Sequence, residues 1–383
     1  MDDEKDEENT PFLKIKKEAA NSFLELIKNR YSDEKLFDKR KKVIHSGEYV
    51  LFPLIKSKSD LNSLIKSDLK DFTFEIIKVR GELDPNYKSR TLEEALVDEL
   101  PEPIIKLIPK SYDIIGNIAI IEFDRFDSLN IDKALLYKKK VAKAIIQVNK
   151  IVEIVYEKTS EIKGQYRLRE LRLISGKDEP ETIHKENNCV FKLDVKNTYF
   201  TPRLVFERKR LSLFNFVKGE VIVDMFAGVG PISIQIAKTN DVQIYSFDIN
   251  PMAYKYMIEN VDLNKLVGKI FAYNIDVVEL MNSSNELGKF LEDDVDRIIM
   301  NLPEQSNDYI DVACFLMKKT GGILHFYQFC EKPNSVKKGI EELSNNLNRF
   351  GWSVDELIKS KIVKAYSPKA DLIVIDVRIK SIK

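Results

Sequence analysis

Glu207 is the one acid in TYFTPRLVFERKRL (198–211), where Arg203, Arg208 and Arg210 surround it just ahead of the apolar run 221–223. Taken alone, such an acid is ordinarily a salt-bridged surface residue. At the mouth of a ligand cleft, a carboxylate can instead act as a general base. A ring nitrogen bearing a lactam proton, such as guanine N1, becomes nucleophilic only when that proton leaves. Charge then builds on the adjoining carbonyl oxygen, and a guanidinium such as Arg167 in KGQYRLREL (163–171) is suited to stabilise it. Asn301 in MNLPEQS (300–306) ends another apolar run, and Pro303 stiffens the backbone beside it. An amide fixed in this way can accept from the same ring and orient it.

Such a constellation needs a cleft, and VIVDMFAGVGPISIQIAK (221–238) supplies the pattern for one. An apolar strand runs into Asp224, then a turn of small residues through Gly228 and Gly230, then a helix. Small residues let a ligand approach the turn backbone, and the following helix start is electropositive. Only two glycines are present and a Pro follows, which disfavours a pyrophosphate-gripping dinucleotide site. The next strand, VQIYSFDIN, ends in Asp248, 20 residues past Gly228, where a carboxylate accepts both ribose hydroxyls. Asp276 ends a third strand, where the adenine amino group lies in such folds, and Asn301 ends a fourth. Any one acid after a strand reads as a helix cap; four strand ends in order read as a nucleoside cleft.

The elements that hold these residues fall into three regions. Residues 11–70 alternate short strands with one-face helices, including a helix from Glu18 to Arg30 and the segment DLNSLIKSDL. Residues 71–198 open on the strand FTFEIIKV and pass a Pro-rich connection, a strand IAIIEF, a Lys-rich helix at 132–150 and a strand IVEIVYEK. Residues 199–383 alternate strand and helix in the rhythm of a doubly wound parallel sheet. With 383 residues and 44% hydrophobic content, the chain has material for two or three cores.

Lys+Arg and Asp+Glu both number 61, so net charge alone is silent about a polyanionic partner. The distribution is uneven: residues 1–10 hold six acids and one Lys, a pattern that predicts a disordered tail. Residues 131–169 hold ten Lys/Arg, Lys138 and Lys139 among them, against four acids. Next to it, Arg167 and Arg169 read as one face of a strand, and aromatics interleave with Arg in 198–211, which favours a base or phosphate surface. Three isolated Cys and three His show no metal-ligand spacing, and buried thiols in a reducing compartment are expected. No stretch approaches the roughly 18 apolar residues of a membrane span, so a cytoplasmic protein is expected.

With those residues assembled, the chain resembles the archaeal/eukaryotic tRNA (guanine-37-N1) methyltransferase family in its three-domain archaeal form. The resemblance covers nearly all of residues 11–383 and rests on KGQYRLREL, TIHKEN (182–187), TYFTPRL.FER, VDMFAGVGPISI, FDINPMA, IMNLP and VKAYSP (363–368). Methyltransferases acting on exocyclic amino groups usually carry Pro-Pro-aromatic after the Asn or Asp, and Leu-Pro-Glu here fits a different target. The resemblance implies methyl transfer from S-adenosylmethionine to N1 of the guanosine 3′ to the anticodon. It implies an α/β fold: a C-terminal class I, Rossmann-like methyltransferase domain (199–383), a smaller α+β RNA-binding middle domain (71–198) and a small α+β N-terminal module (11–70).

Residue by residue, Arg167 matches the family's O6-stabilising Arg, Glu207 its general base, and Asn301 and Pro303 its NLP motif. Tyr199, Arg203 and Arg208 match elements near substrate and RNA. Asp224, Phe226, Gly228, Asp248 and Asp276 match cofactor positions, with Ala227, Gly230, Ile249, Asn250, Val277, Arg208 and Asn301 completing that set. Arg169, Lys138 and Lys139 fall to the tRNA. A monomer that grips the anticodon stem-loop and the outer corner of tRNA, with no membrane contact, is implied. One departure stands out: Val205-Phe206 precedes Glu207 where many relatives carry small residues.

Three other readings compete. A wyosine-pathway aminocarboxypropyl transferase shares fold, cofactor and tRNA target, and Glu207 with Asn-Leu-Pro speaks against it. Added methylation of a wyosine intermediate is left open by the sequence. A non-catalytic RNA-binding module is disfavoured by the intact strand-end acids.

Overall fold

The computed structural model describes residues 9–30, 36–55, 72–126 and 128–382. The chain divides into two compact units, residues 1–99 and 100–383.

In the first unit, β1 (Asn9–Lys16), β2 (Ile44–Ser46), β3 (Tyr49–Pro53) and β4 (Phe74–Arg80) form an antiparallel sheet in the order β2-β3-β1-β4. The helix Lys17–Arg30 repeats Ala20, Phe23 and Ile27 at its own period, and they bury against Leu13, Ile15 and Phe52. The strand FTFEIIKV belongs here: β4 pairs with β1 from Asn9 to Ile15, with Phe12 opposite Ile77. Pairing covers what would otherwise be an open β1 edge, so the first region runs to residue 99 rather than ending at 70. Residues 1–8 of the acidic tail and DLNSLIKSDL lie outside the described residues, whereas Asn9 and Thr10 already belong to β1.

In the second unit, β5 (Asp113–Ile115), β6 (Ile118–Ile121), β7 (Ile154–Lys158) and β8 (Leu171–Ser175) form one sheet in chain order. β6 and β7 are parallel, and the helix Ile131–Val148 is their crossover, capped by Asn130 and packed on β7 and β8. The hairpin β9 (Glu181–Glu186) and β10 (Cys189–Asp194) follows. Its Phe191 and Leu193 share one core with Ile118 and Tyr156 on one side and Val229, Ile234 and Tyr256 on the other. Asn260 of the helix Pro251–Leu263 and Asn264, its C-terminal cap, accept from the hairpin backbone at Lys192 N (2.6 Å) and Val190 N (3.0 Å). The boundary expected at 198/199 is therefore not a break, because a shared core and bonded main chain cross it.

The large sheet comprises β11 (Val221–Asp224), β12 (Gln243–Phe247), β13 (Lys269–Tyr273), β14 (Arg297–Met300), β15 (Gly322–Glu331), β16 (Trp352–Ala365) and β17 (Ala370–Ser381). Its order is β13-β12-β11-β14-β15-β17-β16, and β17 runs against both of its neighbours. Helices cover both faces, so the parallel strands read as continuous apolar runs such as Ile298-Ile299-Met300 in β14, a strand buried throughout. The strand order reverses between β11 and β14, and a ligand crevice forms outside the strand ends at such a point. Arg297, buried at the start of β14, is satisfied by Glu220 (2.6 Å), the Asn215 carbonyl (3.1 Å) and the Phe216 ring, which stands 4.5 Å away.

Candidate active site

At that reversal a cavity of about 740 Å³ opens, lined by residues from the small sheet, the 198–204 segment and the ends of β11, β12, β13 and β14. One wall is the glycine turn. Gly228 and Gly230 adopt φ +58° and +84°, left-handed values that an L side chain disfavours. The Gly228 N–H donates to Asp248 Oδ2 (2.7 Å), and the Asn250 N–H donates to Asp248 Oδ1 (2.9 Å). Burial raises the Asp248 pKa, and those two backbone donors oppose the rise. Each oxygen keeps a lone pair for a further donor, which is the requirement for gripping a vicinal diol. Asp276 caps the turn at Val278 N (3.1 Å), and Ile249, Asn250 and Val277 line the same wall. Phe226 meets Tyr309 edge to face at 5.0 Å, an apolar slot beside these carboxylates.

At the end of β14, Asn301 lines the same cavity, and its side-chain amide makes no hydrogen bond among the described residues. Its loop is held rigidly: Phe329 N donates to the Pro303 carbonyl (3.1 Å), and Ser306 Oγ to the Leu302 carbonyl (2.9 Å). Arg167 reaches in from the small-sheet side. The expected strand face at Arg167 and Arg169 is instead a tight turn closed by a Lys163–Leu168 bridge, with Arg167 at φ +57°. The turn aims the guanidinium at Glu304, with Nη1 to Oε2 at 2.8 Å and Nη2 to Oε1 at 3.2 Å, while Tyr199 lies 5.5 Å from it. Glu304, Tyr309 and Phe329 line the cavity without having been singled out in the sequence. The acid directly after Asn-Leu-Pro was the available signal for the first; the other two carry no local one.

Arg169 and Arg203 line the cavity with Lys158 and Lys364, around Asp113. Arg203 Nε donates to Asp113 at 2.6 Å, and Lys158 Nζ stands 3.5 Å from the same carboxylate. Burial lowers the Lys364 pKa, and the cations of Arg203, Lys158 and Arg169 lower it further.

Several expected residues are placed elsewhere. Glu207 does not line the cavity: it is 5% exposed and bonded by Arg210 (2.5 Å), the Tyr327 hydroxyl (2.8 Å) and Lys361 (2.7 Å). Burial pushes its pKa up, but the hydrogen bonds from Arg210 and Lys361 outweigh that and hold it below the usual carboxylate range. Tyr327 sits two residues from cavity-lining Phe329 on the same face of β15, so Glu207 lies one strand step behind the wall. Arg208 is buried in a two-point pair with Glu186 (2.5 and 2.6 Å) and also donates to the Thr201 carbonyl (3.1 Å), bracing the segment that carries Tyr199 and Arg203.

Asp224 is fully buried beneath the turn and bonded by Ser233 Oγ (2.7 Å), and burial raises its pKa to about 7. Ala227 and Gly230 likewise shape the turn rather than the cavity wall. Lys138, expected at the RNA, is buried with its ammonium paired to Glu157, which also accepts from Arg172 (2.6 Å); Lys139 is exposed.

The residues present fit a nucleoside cofactor: paired acceptors at Asp248, an open left-handed turn and an aromatic slot converge in one cavity. Among the described residues, no cluster of His, Cys, Asp or Glu could hold a metal, and no helix is long and apolar enough to cross a membrane.

Residues 182–354 match the TRM5/TYW2 methyltransferase domain, and residues 92–179 match the TYW2 N-terminal domain. A tRNA (guanine(37)-N(1))-methyltransferase Trm5b of Pyrococcus abyssi is 35% identical over 93% of this chain and 96% of its own. Its crystal structure superposes with a TM-score of 0.67 over 97% of this chain and 99% of that one, at 31% identity. A complex of aTrm5 with tRNALeu gives 0.66 over 96% of this chain and 99% of that one, at 28% identity. A tRNA(Phe) (4-demethylwyosine(37)-C(7)) aminocarboxypropyltransferase of Pyrococcus horikoshii is 28% identical over 75% of this chain and 96% of its own. On the extent of the Pyrococcus abyssi match, the chain belongs to the TRM5/TYW2 methyltransferase family.

Proposed function

We propose that this protein is a tRNA (guanine-37-N1)-methyltransferase, with tRNA as substrate and S-adenosylmethionine as methyl donor. The observation that carries the reading is one cavity whose lining unites Gly228, Asp248 and Asp276 with Asn301, Tyr199 and Arg167. When bound, the donor supplies an electrophilic methyl group on sulfonium. Asp248 would hold its ribose hydroxyls, and Asp276 and Val277, on the same cavity lining, would hold its adenine. Asn301 orients the guanine ring, Tyr199 packs on it, and Arg167 faces O6 where charge builds as N1 loses its proton. For Glu207 to take that proton, its bonds with Arg210, Tyr327 and Lys361 must first open, because all three hold it behind the cavity wall.

Aminocarboxypropyl transfer is the second reading, favoured by the match of residues 92–179 to the TYW2 N-terminal domain. Incubation of the purified chain with unmodified tRNA transcripts and S-adenosylmethionine, followed by nucleoside mass spectrometry, separates the two. N1-methylguanosine is expected from transcripts with guanosine at position 37, and from none with adenosine there. An aminocarboxypropyl adduct would transfer the assignment to the second reading, and no adduct at all would remove both.

A further inference from the structure

Behind the cavity wall, the Arg210 guanidinium is answered twice. From the helix Val205–Ser212 it donates to Glu207 through Nε (2.9 Å) and Nη2 (2.5 Å), and to Asp376 through Nη1 (2.6 Å). Arg208 and Arg297, buried in the same unit, each pair with one carboxylate among the described residues, Glu186 and Glu220. A second acid on Arg210 is therefore more than neutralisation requires. Asp376 is fully buried on β17, opposite His325 of β15 in the sheet. His325 fixes where that acid points. Arg297 Nη1 stands 3.0 Å from His325 Nε2, and a guanidinium only donates, so Nε2 accepts and the ring proton sits on Nδ1. Nδ1 is 2.6 Å from Asp376 Oδ1, which leaves Oδ2 for Arg210. Burial lowers the His325 pKa against the pull of Asp376, so the ring is neutral and the charge of Asp376 is left to Arg210. Phe214 closes the row, edge to face with His325 at 4.8 Å and 5.3 Å from Arg210.

This row bears on the acid that has to move. If Glu207 left, Arg210 would keep Asp376, and Lys361, 37% exposed at its side chain, would turn to water. Of the three groups that hold Glu207, only the Tyr327 hydroxyl would lose its partner outright, and it is neutral. Without Asp376, the same departure would strand a guanidinium, 14% exposed, with no carboxylate, and an unpaired charge in such a site is strongly destabilising. We infer that Asp376, oriented by His325, is a positioning residue for methyl transfer, which holds Arg210 in place while the Glu207 carboxylate leaves it for the cavity. The inference rests on the proposed reaction, in which Glu207 takes the N1 proton, and goes beyond it by assigning what makes that carboxylate releasable. Neither His325 nor Asp376 lines the cavity, so both act through Arg210.

Single-turnover formation of N1-methylguanosine is measured at saturating and at limiting tRNA and S-adenosylmethionine. Asp376→Asn should lower the saturated rate by about tenfold, with half-saturating concentrations within about twofold of wild type. Removing the stranded cation as well should reverse the loss: Arg210→Gln combined with Asp376→Asn should return to within about threefold of wild type, whereas structural damage would accumulate in the double variant. Thermal melting establishes that each variant is folded. Should Asp376→Asn melt below the assay temperature, His325→Leu carries the test, because Asp376 then loses the donor that aims it. His325→Gln, which keeps an amide donor and acceptor, should restore the rate.

Urea unfolding gives a reading that needs no turnover. Glu207→Gln combined with Asp376→Asn should raise the unfolding constant about tenfold beyond the product of the two single effects, because only the pair leaves Arg210 without a carboxylate. A wild-type saturated rate in Asp376→Asn, or an Arg210→Gln, Asp376→Asn double variant slower than Asp376→Asn, would overturn the inference and leave the reaction standing. The absence of N1-methylguanosine from wild-type digests would remove the reaction and the inference with it, and an unfolding excess would then keep Asp376 only as a structural counter-charge.

Discussion

Arg167 and Glu304 face each other across the cavity as a two-point ion pair, at 2.8 and 3.2 Å, joining the 163–168 turn to the loop after Asn301. The pair engages one N–H on each of Nη1 and Nη2, and the guanidinium keeps three further donors for another acceptor. Glu304 is 41% exposed at its side chain, so the pair is a weak clasp.

Arg167→Ala is expected to slow single-turnover methyl transfer by about a hundredfold, the scale of losing one donor to a developing oxyanion. Glu304→Gln removes only the charge of a partly exposed partner, and it should change the rate by less than about threefold. Quantified N1-methylguanosine over time checks both. A hundredfold loss in Glu304→Gln would place that carboxylate on the reacting base instead.

Glu207→Gln should destabilise the fold by about 3 kcal/mol at neutral pH, because Arg210 and Lys361 lose a buried counter-charge. The pH dependence has a defined sign. Glu207 titrates below its ordinary value of 4.5 when folded, so its stabilisation is full above that value and is lost as pH falls through the folded pKa. Urea unfolding should therefore separate wild type from variant at pH 7 and bring them together in acid. A gap that persists unchanged at low pH would contradict the ion-pair account.

Asp248→Asn should weaken S-adenosylhomocysteine binding by roughly ten- to a hundredfold, the loss expected when a charged acceptor of hydroxyl donors is neutralised. Affinity for tRNA should be unaltered. Because burial raises the Asp248 pKa, wild-type binding should begin to fail in acid at a higher pH than an ordinary aspartate would give. Calorimetric titration over pH tests this, and a flat profile in the wild type would count against it.

Lys138 and Lys139 are neighbours in sequence with opposite expected roles. Lys138→Met should lower stability, by about 3 kcal/mol, since Glu157 is left buried with Arg172 as its remaining partner. It should leave the salt dependence of tRNA binding unchanged. Lys139→Ala should not alter melting, and if that helix face meets phosphate it should lower the salt slope by about one. A reduced slope in Lys138→Met with unaltered melting would restore Lys138 to the RNA surface.

Much of this protein is written locally. The Asp224 to Pro231 turn, the acids ending β12 and β13, and Asn301 ending β14 are set by residues within a few positions of one another, and strand periodicity alone put them at one edge of a sheet. The helix Lys17–Arg30 and the crossover helix Ile131–Val148 were equally plain from the spacing of their apolar residues. What decided Glu207 was not local: Tyr327 and Lys361 are more than a hundred residues away, and their burial beside Arg210 turned an apparent cleft acid into an ion-pair centre. Lys138 went the same way when the helix laid it against Glu157. The placement of β4 on β1, the shared core across residue 198 and the meeting of Lys158, Arg169, Arg203 and Lys364 also depend on long-range packing. A sequence states which groups can ionise or donate, whereas which of them keep that capacity for a ligand depends on the partners that folding brings within about 3 Å.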